Sequence, residues 1–546
     1  MQIVRHQCVL FGLFILLPGI GPPGIAQVSE IQRIVAVGQL EEMRRPDFRN
    51  DRPHVQRLYK AMGFTPLWLN GPQPKPAALS MIAIFQNAAE EGLDPEDYDA
   101  SRWRSRLESL AQSTNAQARF DVTMSVCAMR YASALHNGRI NPRSIHRTAV
   151  FEKRFDPVAF LRERLLVSPD LAAAFASIEP PFAAYRRTKQ ALVRYIELAR
   201  LDDGQELPLP RKTIDPGQVY AGVPRLTLLL RLLGDLPNSS TITPDAQVYD
   251  TALAEGVKRF QRRHGLEEDG RLGRATIKQL NVPLQNRVQQ LQLALERWRW
   301  LTDGISRPTI FVNIPDFRLR AVDQTGIALE MRVVVGRAMR TQTPVFSAEM
   351  THVIFRPYWN VPRSIVRNEI VPAVERDPQY LVSKKFEVTT RSGEIVTAGP
   401  VSDEVLALVR QGTLTVRQRP GPINSLGLVK LMFPNENNVY LHDTPARSLF
   451  ARSRRDFSHG CIRVEKPAEL AAWVLRGTPG WTLEKVRQAM QSGEDDVTVS
   501  LSRPVPVFIV YGTALAYENG EVHFSNDIYG FDAKLAAALS RGYPYP

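Results

Sequence analysis

The sequence predicts a multidomain chain with a helical N-terminal part, a small three-helix unit and a mainly-β C-terminal part. At 546 residues the chain is too long to form a single hydrophobic core. Helical periodicity, with many Arg, Glu, Leu and Ala residues, dominates from about residue 28 to 215. Farther along, β-branched and aromatic residues alternate with polar ones in Val439–His442 and Cys461–Val464, which is typical of half-buried strands.

We expect six units along the chain. They are a signal peptide (1–26), a helical scaffold (27–215), a three-helix unit (216–285), a connecting helix (286–305), a mainly-β domain (306–475) with a capping or lid insertion (363–420), and a C-terminal segment that packs on the mainly-β domain (476–546).

The first 26 residues have the pattern of a secretory signal peptide. Arg5 precedes an apolar run from Val9 to Ile20, and the small residues Gly24 and Ala26 come before Gln27. The run is short and broken by Pro and Gly, so a cleaved signal is favoured over an uncleaved membrane anchor. We therefore expect a periplasmic or secreted protein, with membrane anchoring as the alternative.

Two short helices are predicted in the middle unit. Leu253, Val257 and Phe260 lie on one face of a helix from Tyr249 to Arg263. A turn at Asp269-Gly270 precedes a second helix, Arg274 to Leu280.

Three further elements are predicted beyond this unit. Asn286 to Leu301 is expected to form the connecting helix. Leu483 to Met490 is expected to form another helix, and Val505 to Tyr511 a strand that closes the sheet of the mainly-β domain or its neighbour.

The insertion at 363–420 is rich in charge, and long insertions between strands are often lids. Its cations include Arg367, Lys384, Lys385 and Arg391. We expect this insertion to cover Cys461, a candidate functional residue later in the chain, and to grip a substrate.

Chemistry concentrates at Ser458-His459-Gly460-Cys461, which follows His442 after an interval of 15 residues. A thiol becomes a strong nucleophile when an imidazole takes its proton, and it can then form an acyl-enzyme. The alternatives are a buried apolar cysteine and a zinc site of His442, His459 and Cys461, which lacks an evident fourth ligand.

Local geometry supports acyl transfer. Cys461 and Arg463 share a face of an extended strand, so a positive charge near the sulfur is expected to favour thiolate. Gly460 permits a sharp turn that leaves the amides of residues 460 and 461 free for an oxyanion. The loop Asp443–Phe457 is expected either to make the mouth of the site cationic or to be ordinary solvated surface; its arginines are Arg447, Arg452, Arg454 and Arg455.

Cysteine usage and charge narrow the setting. Without residues 1–26 only Cys127 and Cys461 remain of three cysteines, so no disulfide framework is implied, and Cys127 lies in an apolar helical pattern typical of a core thiol. The chain has a formal charge of +13, and a basic balance of this kind often indicates a nucleic-acid partner. Export makes an anionic wall polymer the better partner, and no nucleic-acid partner is expected.

These motifs resemble the L,D-transpeptidase family with a YkuD-type catalytic domain, from about Ile310 to Leu475. The residues that carry the resemblance are His442 and Ser458–Cys461, with Phe311–Pro315, Val335-Gly336, Gln342–Pro344, Pro357–Pro362, Gly421-Pro422, Leu426-Gly427, Phe433–Asn435 and Tyr440–Thr444.

The other two units resemble parts of wall enzymes. Val257–Leu266, Asp269-Gly270 and Gly273–Thr276 resemble a peptidoglycan-binding domain, which alternatively serves only as a spacer. Phe64–Trp68, Glu91–Pro95 and Gly138–Pro142 resemble the scaffold of large, YcbB-like members.

The resemblance implies roles residue by residue. Cys461 is the nucleophile, His442 the general base and acid, and the backbone carbonyl of Asp443 orients His442. Gly460, with Cys461, forms the oxyanion hole. The residues expected to contact substrate are His459, Ser458, Arg463, Tyr440 and Trp359. Arg463 stands where many members have Asn.

The implied reaction is attack of Cys461 on the L-centre carbonyl of diaminopimelate in a tetrapeptide stem, with release of D-alanine. A diaminopimelate amine of a second stem then gives a 3→3 cross-link. The alternatives are water as acceptor, which makes an L,D-carboxypeptidase, and an inactive wall-binding scaffold. Carbapenem acylation and the absence of any metal or organic cofactor are further expectations. A lipoprotein acceptor and association with other wall-synthesis proteins are left open.

Overall fold

The structure is a computed structural model that describes residues 25–148, 155–238, 247–301, 304–339 and 341–542. The predicted signal peptide, apart from its last two residues, lies outside the described residues. Within the described ranges, no helix is both long and apolar enough to cross a membrane.

The N-terminal part is helical, as predicted. Its helices are α1 (Ile25–Val37), α2 (Arg52–Ala61), α3 (Pro76–Gln86), α4 (Trp103–Ser109), α5 (Thr114–Asn137), α6 (Pro142–Ile145), α7 (Pro157–Phe160), α8 (Leu171–Ala176) and α9 (Ala183–Leu201), with a hairpin of β1 (Leu69–Asn70) and β2 (Gln73–Pro74). Helix α5 runs through the core, since most of its residues are buried, including polar ones such as Asp121 and Ser125, and Ser113 caps its first turn. Cys127 is wholly buried on this helix.

The middle unit contains α10 (Val223–Leu233), α11 (Thr251–Arg263) and α12 (Arg274–Leu280). The predicted apolar face of α11 is confirmed, since Leu253, Val257 and Phe260 are buried together. Asp250 caps this helix by accepting the amide N–H of Leu253 at 2.8 Å.

The connecting helix is α13 (Leu284–Arg299), close to its predicted bounds. Its buried polar residues bind the scaffold: Glu296 accepts the amide N–H groups of Arg139 (2.6 Å) and Ile140 (2.8 Å). Arg299, which is fully buried, donates to the Tyr185 hydroxyl at 3.0 Å. A buried polar group left without a hydrogen bond costs folding free energy. These bonds therefore fix α13 against the scaffold.

The β-rich domain begins with four strands. They are β3 (Thr309–Asn313), β4 (Arg318–Asp323), β5 (Gly326–Gly336) and β6 (Phe346–Phe355).

An insertion with its own sheet and core follows. Its elements are β7 (Trp359–Asn360), α14 (Arg363–Ile365), α15 (Val371–Arg376), α16 (Tyr380–Ser383), β8 (Phe386–Thr389), β9 (Ile395–Thr397), α17 (Asp403–Gln411) and β10 (Thr415–Gln418). The strand order is β7-β10-β8-β9. Asn424, which is fully buried, joins the two ends of the insertion by donating to Pro357 O at 3.1 Å and Arg419 O at 3.0 Å.

The chain then returns to the first sheet. The returning elements are β11 (Val429–Met432), β12 (Leu441–His442), β13 (Asp456–Ser458), β14 (Ile462–Val464), α18 (Pro467–Leu475), α19 (Leu483–Ser492) and β15 (Val497–Val510). The order is β13-β5-β14-β12-β11-β6-β15-β3-β4, and β5 also pairs with β4. The sheet therefore closes on itself around a core that includes Val333, Leu431, Leu441 and Ile462.

The C-terminal segment agrees with the prediction in its strand and differs from it farther along the chain. The expected strand Val505–Tyr511 is the end of β15, which lies inside the sheet between β6 and β3. The last elements are β16 (Ala514–Ala516), β17 (Val522–Phe524) and α20 (Phe531–Ser540). The apolar residues of β16 and β17 pack on α9 and α13, so this part of 476–546 lies on the helical region rather than on the catalytic sheet.

Candidate active site

The candidate residues lie on one face of two neighbouring strands. Leu441 pairs with Ile462, and His442 with Arg463, across β12 and β14. Leu441 and Ile462 are in the core, so alternation along the strands places His442 and Arg463 on the opposite face. Tyr440 and Cys461, two residues earlier on each chain segment, continue that face.

His442 is held by the backbone that follows it. Its Nδ1 lies 2.5 Å from Asp443 O, and only the nitrogen can donate in this pair. Burial, with a further contribution from Arg463, lowers the pKa of His442 to about 3. The imidazole is therefore neutral, and Nε2 is the nitrogen without a proton.

Cys461 is half-buried, and its Sγ donates to Asn438 O at 3.7 Å. Burial raises the pKa of the Cys461 thiol, against opposing effects of hydrogen bonds from Tyr440 and of the charges on Lys430 and Arg463. The charge on Arg463 lowers the pKa of the thiol, as predicted, but burial raises it by more. Cys461 is therefore a neutral thiol and not the expected thiolate. In the described part of the chain no hydrogen bond joins Cys461 to His442.

The turn before Cys461 is fixed from within. Gly460 has φ of 118°, which favours glycine. Ser458, which is buried, accepts the Gly460 amide N–H at 3.1 Å and donates to Cys461 O at 2.5 Å. The expectation that both amides are free is therefore wrong for Gly460, because the Ser458 hydroxyl occupies its N–H.

The Cys461 amide N–H differs from that of Gly460. Among the described residues it donates no hydrogen bond within the protein. It is consequently the available donor for an oxyanion.

The turn before Cys461 is also held by Thr343 and by Tyr529, which lies in the C-terminal segment. Thr343 Oγ1 donates to Gly460 O at 2.7 Å and accepts the Gly336 amide N–H at 2.9 Å. The Tyr529 hydroxyl donates to Gly336 O at 2.6 Å and accepts the Thr343 amide N–H at 3.2 Å. A Cβ at position 336 would overlap Thr341 O, so this close approach requires glycine.

A pocket of about 250 Å³ opens beside the sulfur. Its lining residues are Gln342, Pro344, Asn437, Asn438, Val439, His459, Gly460 and Cys461. Sequence reasoning missed Asn437 and Asn438. The signal was the Asn-rich turn before β12, where Asn438 adopts a left-handed conformation with φ of 52°.

His459 lies at the pocket and also contacts the insertion. Its Nε2 is 2.5 Å from Oε1 of Glu369, which belongs to the insertion. Trp359 lies elsewhere: it is in β7, with its ring 6.2 Å from that of Phe386 in the core of the insertion, and it does not line the pocket.

The predicted cationic mouth is wrong for three of its four arginines. Arg447 pairs with Asp443 at 3.1 Å, and Arg454 pairs with Asp456 at 2.6 Å. Arg455 is buried and donates to Phe317 O at 3.2 Å, so its role is structural. Arg452 is exposed over the Phe457 ring.

Metal ligation is not evident either. Within the described ranges, no group of three or more His, Cys, Asp or Glu side chains is placed to hold a metal ion.

Three parts of the chain match known protein families. Residues 53–192 match a scaffold domain, 221–280 a putative peptidoglycan binding domain, and 307–486 an L,D-transpeptidase catalytic domain.

Two individual proteins are similar to this chain. A putative L,D-transpeptidase of Haemophilus influenzae is 32% identical over 278 residues, which are 50% of this chain and 55% of that protein, so the match spans about half the relative's length. A solved L,D-transpeptidase segment from Xylanimonas cellulosilytica is 13% identical, with 56% of this chain and 100% of that chain covered. Its TM-score of 0.16 supports no structural argument.

Proposed function

We propose that this chain, whose residues 307–486 match an L,D-transpeptidase catalytic domain, forms 3→3 cross-links in peptidoglycan through a thioester on Cys461. The matches to a scaffold domain and a putative peptidoglycan binding domain support this proposal. The observation that supports this most is the half-buried thiol at an open pocket, on the same sheet face as a neutral imidazole whose Nδ1 is fixed by Asp443 O.

Acylation begins when substrate displaces the thiol from Asn438 O, so that its proton passes to Nε2 of His442. The sulfur bonds to the L-centre carbonyl carbon of diaminopimelate in a tetrapeptide stem, and the Cys461 amide N–H stabilises the oxyanion. The C–N bond to D-alanine then breaks, and the proton on His442 goes to the leaving amine.

Deacylation reverses these roles. The side-chain amine of a second stem attacks the thioester carbonyl, and His442 takes a proton from that amine. The C–S bond breaks, and the proton returns to sulfur. If water attacks instead, the product is a trimmed tripeptide, as in an L,D-carboxypeptidase.

The 363–420 insertion is proposed as the cap over the donor stem. The contact between Glu369 and His459 supports this, because it brings the insertion to the pocket. Asn424 ties the ends of the insertion together, so the cap is anchored where it leaves the sheet. Export by residues 1–26 completes the proposal and is supported by their composition.

Incubation with tetrapeptide muropeptides tests the reaction directly. We expect dimers with a 3→3 linkage and free D-alanine, detected by mass spectrometry, and loss of both with Cys461→Ala. Trimmed monomers without dimers would establish the hydrolase.

Carbapenem adds a second readout: a wild-type protein with no adduct by intact mass would favour the non-catalytic wall-binding scaffold.

A further inference from the structure

Two permanent cations flank the candidate base. Lys430 on β11 pairs with His442 on β12, which pairs with Arg463 on β14. Neighbouring strands are about 4.8 Å apart, so these three side chains form a row on one face of the sheet. Cys461 lies on the same face, two residues before Arg463.

Neither cation has a carboxylate partner among the residues that the structure describes. Across the described ranges, Lys430 and Arg463 form no ion pair, and the Lys430 ammonium lies 4.0 Å from the centre of the Tyr440 ring. The Nε atom of Arg463 is buried without a hydrogen-bond partner. Asp496 attracts Lys430 electrostatically from beyond ion-pair distance.

This arrangement is unfavourable without an anion. Burial lowers the pKa of Lys430, and burial together with the nearby Arg337 lowers that of Arg463. A half-buried cation gains most when an anion completes its hydrogen bonds. The paired arginines of the adjacent loop, Arg447 and Arg454, show that the fold supplies carboxylates elsewhere but not here.

We propose that Lys430 and Arg463 bind the C-terminal carboxylate of the D-amino acid that leaves the donor stem. This inference rests on the proposed acyl transfer at Cys461. The carboxylate lies only two atoms, N and Cα, beyond the attacked carbonyl carbon. Cys461 and Arg463 are about 6.6 Å apart along the chain, a span that the long Arg side chain covers.

The bound carboxylate would also act on His442. The charges of Arg463 and Lys430 both lower the pKa of His442, after burial. A carboxylate between them offsets their field, so the imidazole becomes a better base only while a donor is bound. When the D-amino acid leaves, its carboxylate goes with it.

Alkylation of Cys461 by iodoacetate and by iodoacetamide tests the site without transpeptidation. In both reactions a C–S bond forms, iodide leaves and the thiol proton goes to solvent, but only iodoacetate carries a carboxylate. We expect Arg463→Gln and Lys430→Met each to lower the iodoacetate-to-iodoacetamide rate ratio about threefold to tenfold. Arg463→Lys should keep the ratio near the wild-type value.

A matched control is Arg452→Gln, which removes the same charge from an exposed position outside the row and should leave the ratio unchanged. Because Lys430 and Arg463 favour the thiolate, their replacement slows both reagents, so the ratio is the readout and a wild-type melting temperature shows that a variant is folded. Only a variant with no measurable iodoacetamide rate leaves the ratio undefined. Should a variant lose that rate, the amidated donor described next decides. An unchanged ratio in Arg463→Gln and Lys430→Met would overturn the proposal.

A donor whose C-terminal carboxylate is amidated separates this proposal from the proposed function. Slower turnover of the amide than of the free acid, with that difference lost in Arg463→Gln, supports the carboxylate site. Equal turnover of acid and amide overturns the site but leaves the transpeptidase intact. A ratio shift in alkylation without any donor turnover supports the site while the proposed function fails.

Discussion

Cys127 in the scaffold and Cys461 in the β-rich domain have opposite surroundings although the same effect dominates both. Burial is the largest contribution in each case and raises the pKa of both thiols. Cys127 is fully buried on α5 among apolar side chains. Cys461 is half-buried at a pocket, with Tyr440, Lys430 and Arg463 all opposing the effect of burial.

The difference teaches that burial alone makes an inert thiol. What distinguishes Cys461 is access from the pocket, donors and cations that favour its ionised form, and an imidazole on the same face of the sheet. The turn that presents it is also held by hydrogen bonds from Ser458 and Thr343. Each of these features can be removed separately.

Access of a reagent to the two thiols gives the largest expected difference in their reactivity. Folded protein exposed to iodoacetamide should gain one adduct, at Cys461, while Cys127 reacts only after global unfolding, at least about 10³-fold more slowly. Peptide mapping by mass spectrometry checks the position. Cys461→Ala should gain no adduct until denaturant is added, and rapid labelling of Cys127 in folded protein would contradict the comparison.

The pH dependence of alkylation follows from the directions of the two pKa shifts. His442, with a pKa of about 3, stays neutral above pH 5, and the raised pKa of Cys461 keeps it a thiol near pH 7. The reactive thiolate then increases with pH, so the iodoacetamide rate should rise about tenfold per pH unit between pH 6 and 8. A flat profile over that range would instead indicate a thiolate–imidazolium pair in the free protein.

Much of this site was predictable from sequence because the signals are local. The spacing from His442 to Cys461 and the alternation of Leu441 and Ile462 with polar neighbours place the pair on one face of the sheet. Helix α11 was predictable for the same reason, from the period of Leu253, Val257 and Phe260.

The remaining features depend on contacts between distant parts of the chain. Lys430 flanks His442 only through the pairing of β11 with β12, and a pairing partner is not readable from one strand. The neutral thiol at Cys461 follows from burial, which the local charge pattern does not reveal. Tyr529 reaches the catalytic turn from a segment expected merely to pack on the domain.

Support from Tyr529 gives the smallest expected effect on reactivity. Tyr529→Phe removes the hydroxyl that bonds Gly336 O and the Thr343 amide, so Thr343 holds Gly460 less firmly. We expect destabilisation of about 1–2 kcal/mol and about tenfold slower carbapenem acylation, because the sulfur is less well positioned.

Tyr249→Phe is the matched control, since the Tyr249 hydroxyl donates to Gly270 O at 2.6 Å in the middle unit, outside the catalytic domain. It should lower the melting temperature similarly and leave the acylation rate unchanged. Equal acylation rates in Tyr529→Phe and wild type would mean that Ser458 and Thr343 hold the turn without help from Tyr529. The reactivity of Cys461 would then depend on its immediate neighbours and not on the C-terminal segment.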